Sequence, residues 1–399
     1  MRARYSPDAH PPGSSVEPMI GRVWRAVAGV ALVLALAGCA TFPDAGPRDW
    51  REKVEGAGEL GGPPLVPEPG PSEEPQGSPQ DSDPSATAEP VGCNDPDLQV
   101  VATCLAPVSA VAVLPDSRTA LVAERTTGRV LRVQRGADPV LVTTVPVDSS
   151  GGGGLTGLVL SPGYAEDRLV YAYATTPTDN RVLRLAPGEE PKPVLTGIPR
   201  GSRDNGGALA TDGRNALLVA TGSAGLPSDD GSLAGKLLRI DTLGRPAADN
   251  PNPATPIVSS GLRAPGGVCT NAGAIWITDR PGTRDVLYRA KPGALGDPSW
   301  TWPDRPGVAG CVAQPGLLLV ALASARSVFV LRPDDNGTFT GAPESLLQNR
   351  YGRLYAAATA PDGLLWLGTT NKGSGAKIVP SDDRVIRIQP PAGGGESRQ

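Results

Sequence analysis

Among its 399 residues the chain has one histidine, His10, two methionines and three phenylalanines. His10 lies upstream of the export signal described below, so the mature protein is expected to contain no imidazole. That absence excludes Ser-His-Asp and Cys-His nucleophilic catalysis, histidine-ligated metals and histidine general bases together. There is no run of Lys or Arg and the formal net charge is −4, which excludes nucleic acid as an expected partner. Long apolar runs are missing too. The longest, Ala26–Ala37, is short of the roughly twenty residues a membrane-spanning helix needs. No stretch carries a sustained helical period.

What is present at the N-terminus is an address. Arg22 and Arg25 precede the apolar run, which ends in Leu36-Ala37-Gly38-Cys39, the order of a secretory signal. Small residues before Cys39 resemble a bacterial lipobox, in which the cysteine thiol accepts a diacylglyceryl group. Met19 stands at an ordinary signal-peptide distance from the arginines, so residues 1–18 read as lying ahead of the true start. Residues 1–38 are therefore the expected signal peptide, and Cys39 the lipidated residue. The protein is expected to sit on the outer face of the cytoplasmic membrane, held there by acyl chains. From Ala40 to Val91 the chain is rich in Pro, Glu, Asp, Ser and Gly, with no aromatic after Trp50. It lacks the apolar surface to fold, so residues 39–91 read as a disordered, acidic tether. As a coil it would reach on the order of 40 Å.

Residues 92–390 form the expected folded part, followed by a disordered tail at 391–399. After Cys39 four cysteines remain: Cys93, Cys104, Cys269 and Cys311. In an exported protein an even number favours disulfides, and four allow three connectivities. Local pairing of Cys93 with Cys104, leaving Cys269 with Cys311, is the favoured one. Zinc is the weaker reading, because the spacings are wrong and no histidine is available.

The folded part repeats. A short strand and turn recur at Val111-Ala-Val-Leu-Pro115, Leu158-Val-Leu-Ser-Pro162, Ala208-Leu-Ala-Thr-Asp212, Val268-Cys-Thr-Asn271, Cys311-Val-Ala-Gln-Pro315 and Ala357-Ala-Thr-Ala-Pro361. Each is followed by a second β-rich run, such as Leu169-Val-Tyr-Ala-Tyr173 or Leu364-Leu-Trp-Leu-Gly368, and then a third, such as Arg129-Val-Leu-Arg-Val133. Six copies of three to four strands predict an all-β fold, a six-bladed β-propeller, with an open pair of sandwiches as the alternative. One blade cannot bury both its faces; six in a ring can. The first strand of each repeat should line the central channel. Small residues before it, as at Gly206-Gly207 and Gly266-Gly267, would let the backbones crowd around the axis.

The order of these segments resembles the glucose/sorbosone dehydrogenase family, soluble sugar dehydrogenases that use pyrroloquinoline quinone (PQQ) and calcium in a six-bladed propeller. The resemblance rests on Gly153-Gly-Leu-Thr-Gly-Leu158 with Ser161-Pro-Gly-Tyr164, on Arg203-Asp-Asn-Gly-Gly-Ala208, and on Leu233-Ala-Gly-Lys-Leu-Leu-Arg-Ile-Asp241. Gly261-Leu-Arg-Ala-Pro-Gly266, Gly352-Arg-Leu-Tyr355 and Asp382-Asp-Arg-Val-Ile-Arg387 complete it. It implies a site at the channel mouth formed by Asp204, Asn205, Arg263, Asp279, Arg280, Arg353 and Tyr355.

The departures are equally informative. The family's catalytic histidine falls on Asp204, whose side-chain type has an unperturbed pKa about 2.5 units below imidazole's. The asparagine and glutamine beside the family's arginine fall on Ala264 and Gly266, and a second arginine falls on Tyr355. These changes remove polar and cationic partners for PQQ's three carboxylates. Arg280 places positive charge beside the implied calcium position. No metal and no cofactor are therefore expected, with PQQ and calcium required only if the family activity is retained. The sequence reads as a lipid-anchored, catalytically degenerate relative that binds a ligand, glycan or protein of the cell envelope. The alternative is a PQQ- and calcium-dependent aldose dehydrogenase with Asp204 as base. Trp300 and Trp302 could stack a sugar ring, although core packing is the simpler role. Ser228-Asp-Asp-Gly231 and Pro333-Asp-Asp-Asn-Gly337 lack the alternating ligands of a calcium loop and read as exposed turns.

Overall fold

The structure, a computed structural model, describes residues 92–373 and 378–392. The signal segment, Cys39, the whole tether and the last residues of the tail lie outside them. Among the described residues no helix is long and apolar enough to cross a membrane.

Six sheets follow one another around an axis, all antiparallel except that in the third Gly293–Ala294 adds to Ile257–Ser260 in parallel. Their innermost strands are Val108–Val113, Leu155–Leu160, Gly207–Thr211, Gly267–Asn271, Val308–Gln314 and Leu354–Thr359. Each contains the start of one sequence repeat, and Val111, Leu158, Leu209, Val268, Cys311 and Ala357 all line the axial channel. The all-β, six-bladed propeller read from the repeats is the fold observed. Among the described residues helix is confined to a single turn at Tyr164–Asp167 and a 3-10 turn at Ser150–Gly152.

The core lies between blades rather than on the axis. The second strands of the blades are mainly apolar and largely buried on both faces, as in Thr119–Glu124, Val170–Thr175 and Leu317–Leu322, where every residue is buried. Fully burying one Leu or Val side chain stabilises by about 1.5–3 kcal/mol, and such side chains recur in every sheet. Trp276, Trp300, Trp302, Phe329 and Phe339 form an aromatic cluster between the fourth and fifth blades. The rings of Trp300 and Trp302 meet edge to face at 6.3 Å. Core packing is thus the observed role of the tryptophan pair.

The ring closes by a device the repeats do not announce. Val100–Ala102, ahead of the first blade, supplies the outermost strand of the sixth by pairing with Val385–Ile388. The last blade is therefore woven from both ends of the domain. Two disulfides tighten it. Cys93–Cys104 holds the segment leading to the closing strand, and Cys269–Cys311 joins the innermost strands of the fourth and fifth blades. This is the favoured connectivity of the three.

Candidate functional site

The residues just ahead of the innermost strands gather at one mouth of the channel. Pro107, Ser149, Asp204, Arg263, Gly307 and Arg353 all occupy such positions, and all line a cavity of about 660 Å³. The opposite mouth, about 480 Å³, has no charged side chain in its wall. Chemistry is therefore concentrated at the entry ends of the strands.

The cavity is dominated by cations. Arg125, Arg263, Arg280, Arg305 and Arg353 line it, against two carboxylates, Asp204 and Asp285. Asp285 is 2% exposed, and its carboxylate accepts the backbone N–H groups of Gly307 (2.6 Å) and Val308 (3.0 Å). It anchors the loop before the fifth blade. Asp204, in a left-handed backbone conformation, accepts from Arg263 Nε at 3.4 Å and lies 3.7 Å from Arg203 Nε. Both carboxylates are thus already engaged.

Two of the arginines are also committed. Arg125 donates through Nε to Gly153 O (3.0 Å) and through Nη2 to Gly152 O (2.6 Å), which fixes the glycine turn at 151–154. Arg263 donates through Nη1 to Pro281 O at 2.6 Å. Among the described residues Arg280, Arg305 and Arg353 have no carboxylate within ion-pair distance. Burial, reinforced by the charges of Arg326 and Arg280, pulls the Arg353 pKa below the ordinary guanidinium value. Burial alone would raise the Tyr355 phenol, but the charges of Arg125, Arg280 and Arg353 outweigh it and lower its pKa. The Arg125 guanidinium sits 5.9 Å from the Tyr355 ring centroid.

Of the residues expected at the mouth, Asp204, Arg263, Arg280, Arg353 and Tyr355 line the cavity together. Asn205 and Asp279 stand behind it, both fully buried. The Asn205 amide donates to Gly151 O (3.0 Å) and Gly201 O (2.8 Å), clasping two loops. The Asp279 carboxylate accepts from the backbone N–H of Ala264 at 2.7 Å and of Arg263 at 3.0 Å. Its burial pushes its pKa up to about 6, against those hydrogen bonds. Both residues shape the walls without facing the space. Arg125 and Arg305 were not expected in the site. The only available signal was position: Arg125 immediately follows the second strand of the first blade, and Arg305 stands just before the loop entering the fifth.

An axial, arginine-walled cavity at the strand-entry face of a six-bladed propeller defines the class of protein, and comparisons define the family. The sequence model of the family described as Glucose / Sorbosone dehydrogenase matches residues 105–304. The PQQ-bound aldose sugar dehydrogenase of Streptomyces coelicolor is 31% identical, with a TM-score of 0.66 over 73% of this chain and 96% of that one. An oxidoreductase of Thermus thermophilus, described as a glucose dehydrogenase, is 29% identical with a TM-score of 0.64, over 72% and 98% of the two chains. The soluble aldose sugar dehydrogenase of Escherichia coli, at 22% identity and a TM-score of 0.63 over 73% and 99%, shares the fold. No curated protein matches the chain. The chain belongs to the glucose/sorbosone dehydrogenase family.

The residues at the mouth can be tested against the groups the family implies. Calcium takes six to eight oxygen ligands, carboxylates prominent among them. Here the two lining carboxylates are occupied by backbone donors and guanidinium, and Arg280 adds a cation beside Asp279. This donor set does not fit calcium. Arginines do suit the carboxylates of PQQ. A flat tricyclic quinone also gains from stacking faces, and among the described residues Tyr355 is the single aromatic in the wall. The set fits a multiply charged anion better than it fits the quinone with its metal.

Proposed function

We propose that this protein is a lipid-anchored, extracytoplasmic propeller that binds a ligand of the cell envelope in its arginine-walled cavity and no longer catalyses PQQ-dependent sugar oxidation. The observation that carries this reading is the bracketing of Asp204 by Arg263 and Arg203. The carboxylate that stands where the family has its proton acceptor lines the cavity with two guanidiniums beside it, which favour its charged, engaged form over a free base. Arg280 supports the same reading, since a fixed cation beside the implied metal position opposes calcium. The lipobox ending in Cys39 and the acidic tether support anchoring outside the membrane.

The test is to add PQQ and calcium to the purified protein and follow dye reduction with a panel of aldoses. We expect no turnover and no calcium-dependent thermal shift. Saturable turnover abolished by Asp204→Asn would overturn the proposal and establish the second reading, a PQQ-dependent aldose dehydrogenase. That reading draws its support from the 31% identity to a PQQ-bound relative. For the anchor, Cys39→Ser should move the protein from the membrane fraction to the soluble one and abolish labelling by a palmitate analogue. Unchanged fractionation and labelling would remove lipidation from the reading.

A further inference from the structure

The cavity has more positive charge than its own carboxylates neutralise, and the excess is concentrated on one side. Arg280 follows the second strand of the fourth blade, Arg305 precedes the fifth blade and Arg353 precedes the sixth. The three side chains line the same cavity from adjacent blades, with no described carboxylate in ion-pair reach. Like charges held in one partly buried space repel, and among the described residues no carboxylate pairs directly with any of the three. Three cations in one wall without a direct ion pair make a site for an anion that arrives from outside.

The geometry narrows the anion. A carboxylate has two oxygens in one plane and can be satisfied by one bidentate arginine. A phosphate monoester has three terminal oxygens pointing in different directions, which suits three arginines brought from three blades; a tricarboxylate also offers three anionic groups, and citrate is the probe that separates the two. Tyr355 lines the same cavity. The remaining space is polar. Thr126 and Ser149 line the wall contributed by the first blade and the connection after it, and offer hydroxyl partners. A cavity of about 660 Å³ is in the range for small-molecule sites and too large for a bare ion.

We propose that this site binds a phosphate monoester carried on a sugar-sized polyol, with Arg280, Arg305 and Arg353 as the phosphate grip and the hydroxyl-lined wall opposite receiving the polyol. The inference rests on the reading of the protein as a binding propeller and names its ligand class. The phosphate can belong to a soluble sugar phosphate or to a phosphorylated lipid headgroup, since both present the same group.

The experiment is calorimetric titration of the full chain in detergent with glucose 6-phosphate, inorganic phosphate, glucose and citrate. A parallel flotation assay uses phosphatidylcholine vesicles with and without phosphatidylinositol 4-phosphate. Glucose 6-phosphate should bind more tightly than inorganic phosphate, glucose should not bind, and added salt should weaken the complex. Arg280→Gln and Arg353→Gln should each weaken binding roughly tenfold to a hundredfold, the loss expected for a charge-assisted hydrogen bond. Both variants should unfold at the wild-type temperature or above it, because each relieves repulsion; a merely structural role would lower that temperature. Arg305→Gln supplies a further binding variant if either of the others fails to fold. Recruitment to the phosphoinositide vesicles without binding of the soluble ester assigns the lipid source, and the converse assigns the soluble one. Citrate binding as tightly as every phosphate probe, or arginine variants that bind like wild type, would overturn the inference. If neither phosphate source binds and PQQ supports no turnover, the phosphate grip fails while the binding-propeller reading stands. PQQ-dependent turnover defeats that reading itself.

Discussion

Arg263 Nε lies 3.4 Å from the Asp204 carboxylate, and the same arginine's backbone N–H donates to Asp279 at 3.0 Å. One residue thus ties a lining carboxylate to a buried one behind the wall. Asp204 also has a left-handed backbone, with φ +56, a conformation Asn accepts and β-branched residues resist. Its side chain is 19% exposed and that of Arg263 40%, so the pair itself contributes little, on the order of 0–1 kcal/mol.

Substitutions at position 204 should therefore separate backbone from charge. Asp204→Asn is expected to change the unfolding free energy by less than about 1 kcal/mol. Asp204→Val should cost more, roughly 1–3 kcal/mol, because strain is added to the lost pair. Chemical denaturation of the two variants checks this. Equal losses would mean that the backbone conformation contributes nothing.

Two buried carboxyls set a pH dependence. Burial pushes Asp279 and Asp383 each up to about 6, against the hydrogen bonds that favour their charged forms. A carboxyl whose pKa is raised on folding holds its proton more tightly in the folded state. Its contribution is complete below the unfolded value near 3.8 and is lost as pH rises through the folded one. Glu124 and Asp212 are shifted down, with hydrogen bonds from Arg129 and Arg239 outweighing burial, so their contribution is present above the unfolded value and lost in acid. The protein should thus be more stable at pH 5 than at pH 7, by about 2 kcal/mol. Urea unfolding at the two pH values measures the difference. Stability that is flat or rising over that interval would show both carboxyls to be ionised in the native protein at pH 5.

The propeller was legible because its signals are local. Turn residues such as Pro115-Asp116 and Pro361-Asp362-Gly363 follow each innermost strand, and the next run is apolar at every position, as in Leu317-Leu-Leu-Val-Ala321. Those two features fix strand and burial without reference to distant residues. The closing strand Val100–Ala102 was not read, because three residues carry no period and their partner lies almost three hundred positions away.

The site was legible in part for the same reason. Arg263, Arg353 and Tyr355 sit in recognisable loop segments, and a loop ahead of an innermost strand has nowhere to go but the channel mouth. Which way a loop side chain turns depends on tertiary partners. Asn205 occupies such a loop and Asp279 ends the second strand of the fourth blade, yet both turn inward because backbone N–H and C=O groups of neighbouring loops need partners there. Arg305 was missed because no sequence pattern distinguishes it from an ordinary turn arginine.

The two disulfides should differ in accessibility. Cys93 is exposed and Cys104 partly so, whereas Cys269 and Cys311 are 7% and 5% exposed beside the channel. Mild reductant followed by alkylation and mass spectrometry should label the first pair well before the second. The second should matter more to stability. It spans 42 residues against 11, which in the chain-entropy account gives about 4 kcal/mol against about 3. Thermal unfolding of Cys269→Ser/Cys311→Ser and Cys93→Ser/Cys104→Ser compares them, and a larger loss for the latter pair would contradict this ordering.

The glycines around the axis predict where the ring cannot accept even a methyl group. A Cβ on Gly267 would lie 2.8 Å from the Cys311 backbone nitrogen, and one on Gly310 would lie 2.7 Å from that of Ala357. The obstructing atoms are backbone of the next blade's innermost strand, held in its own ladder, so they have little room to yield. Forcing a methyl into such packing costs about 1–3 kcal/mol. Gly296 offers the control, since a Cβ there meets nothing within 4 Å and its backbone is not left-handed. Gly296→Ala should be neutral or stabilising by up to about 1 kcal/mol, through the reduced freedom of the unfolded chain. Gly267→Ala and Gly310→Ala should both lower the unfolding temperature while leaving the far-ultraviolet β-sheet spectrum unchanged. If all three variants behave alike, the innermost strands of the fourth, fifth and sixth blades stand further apart than this packing requires.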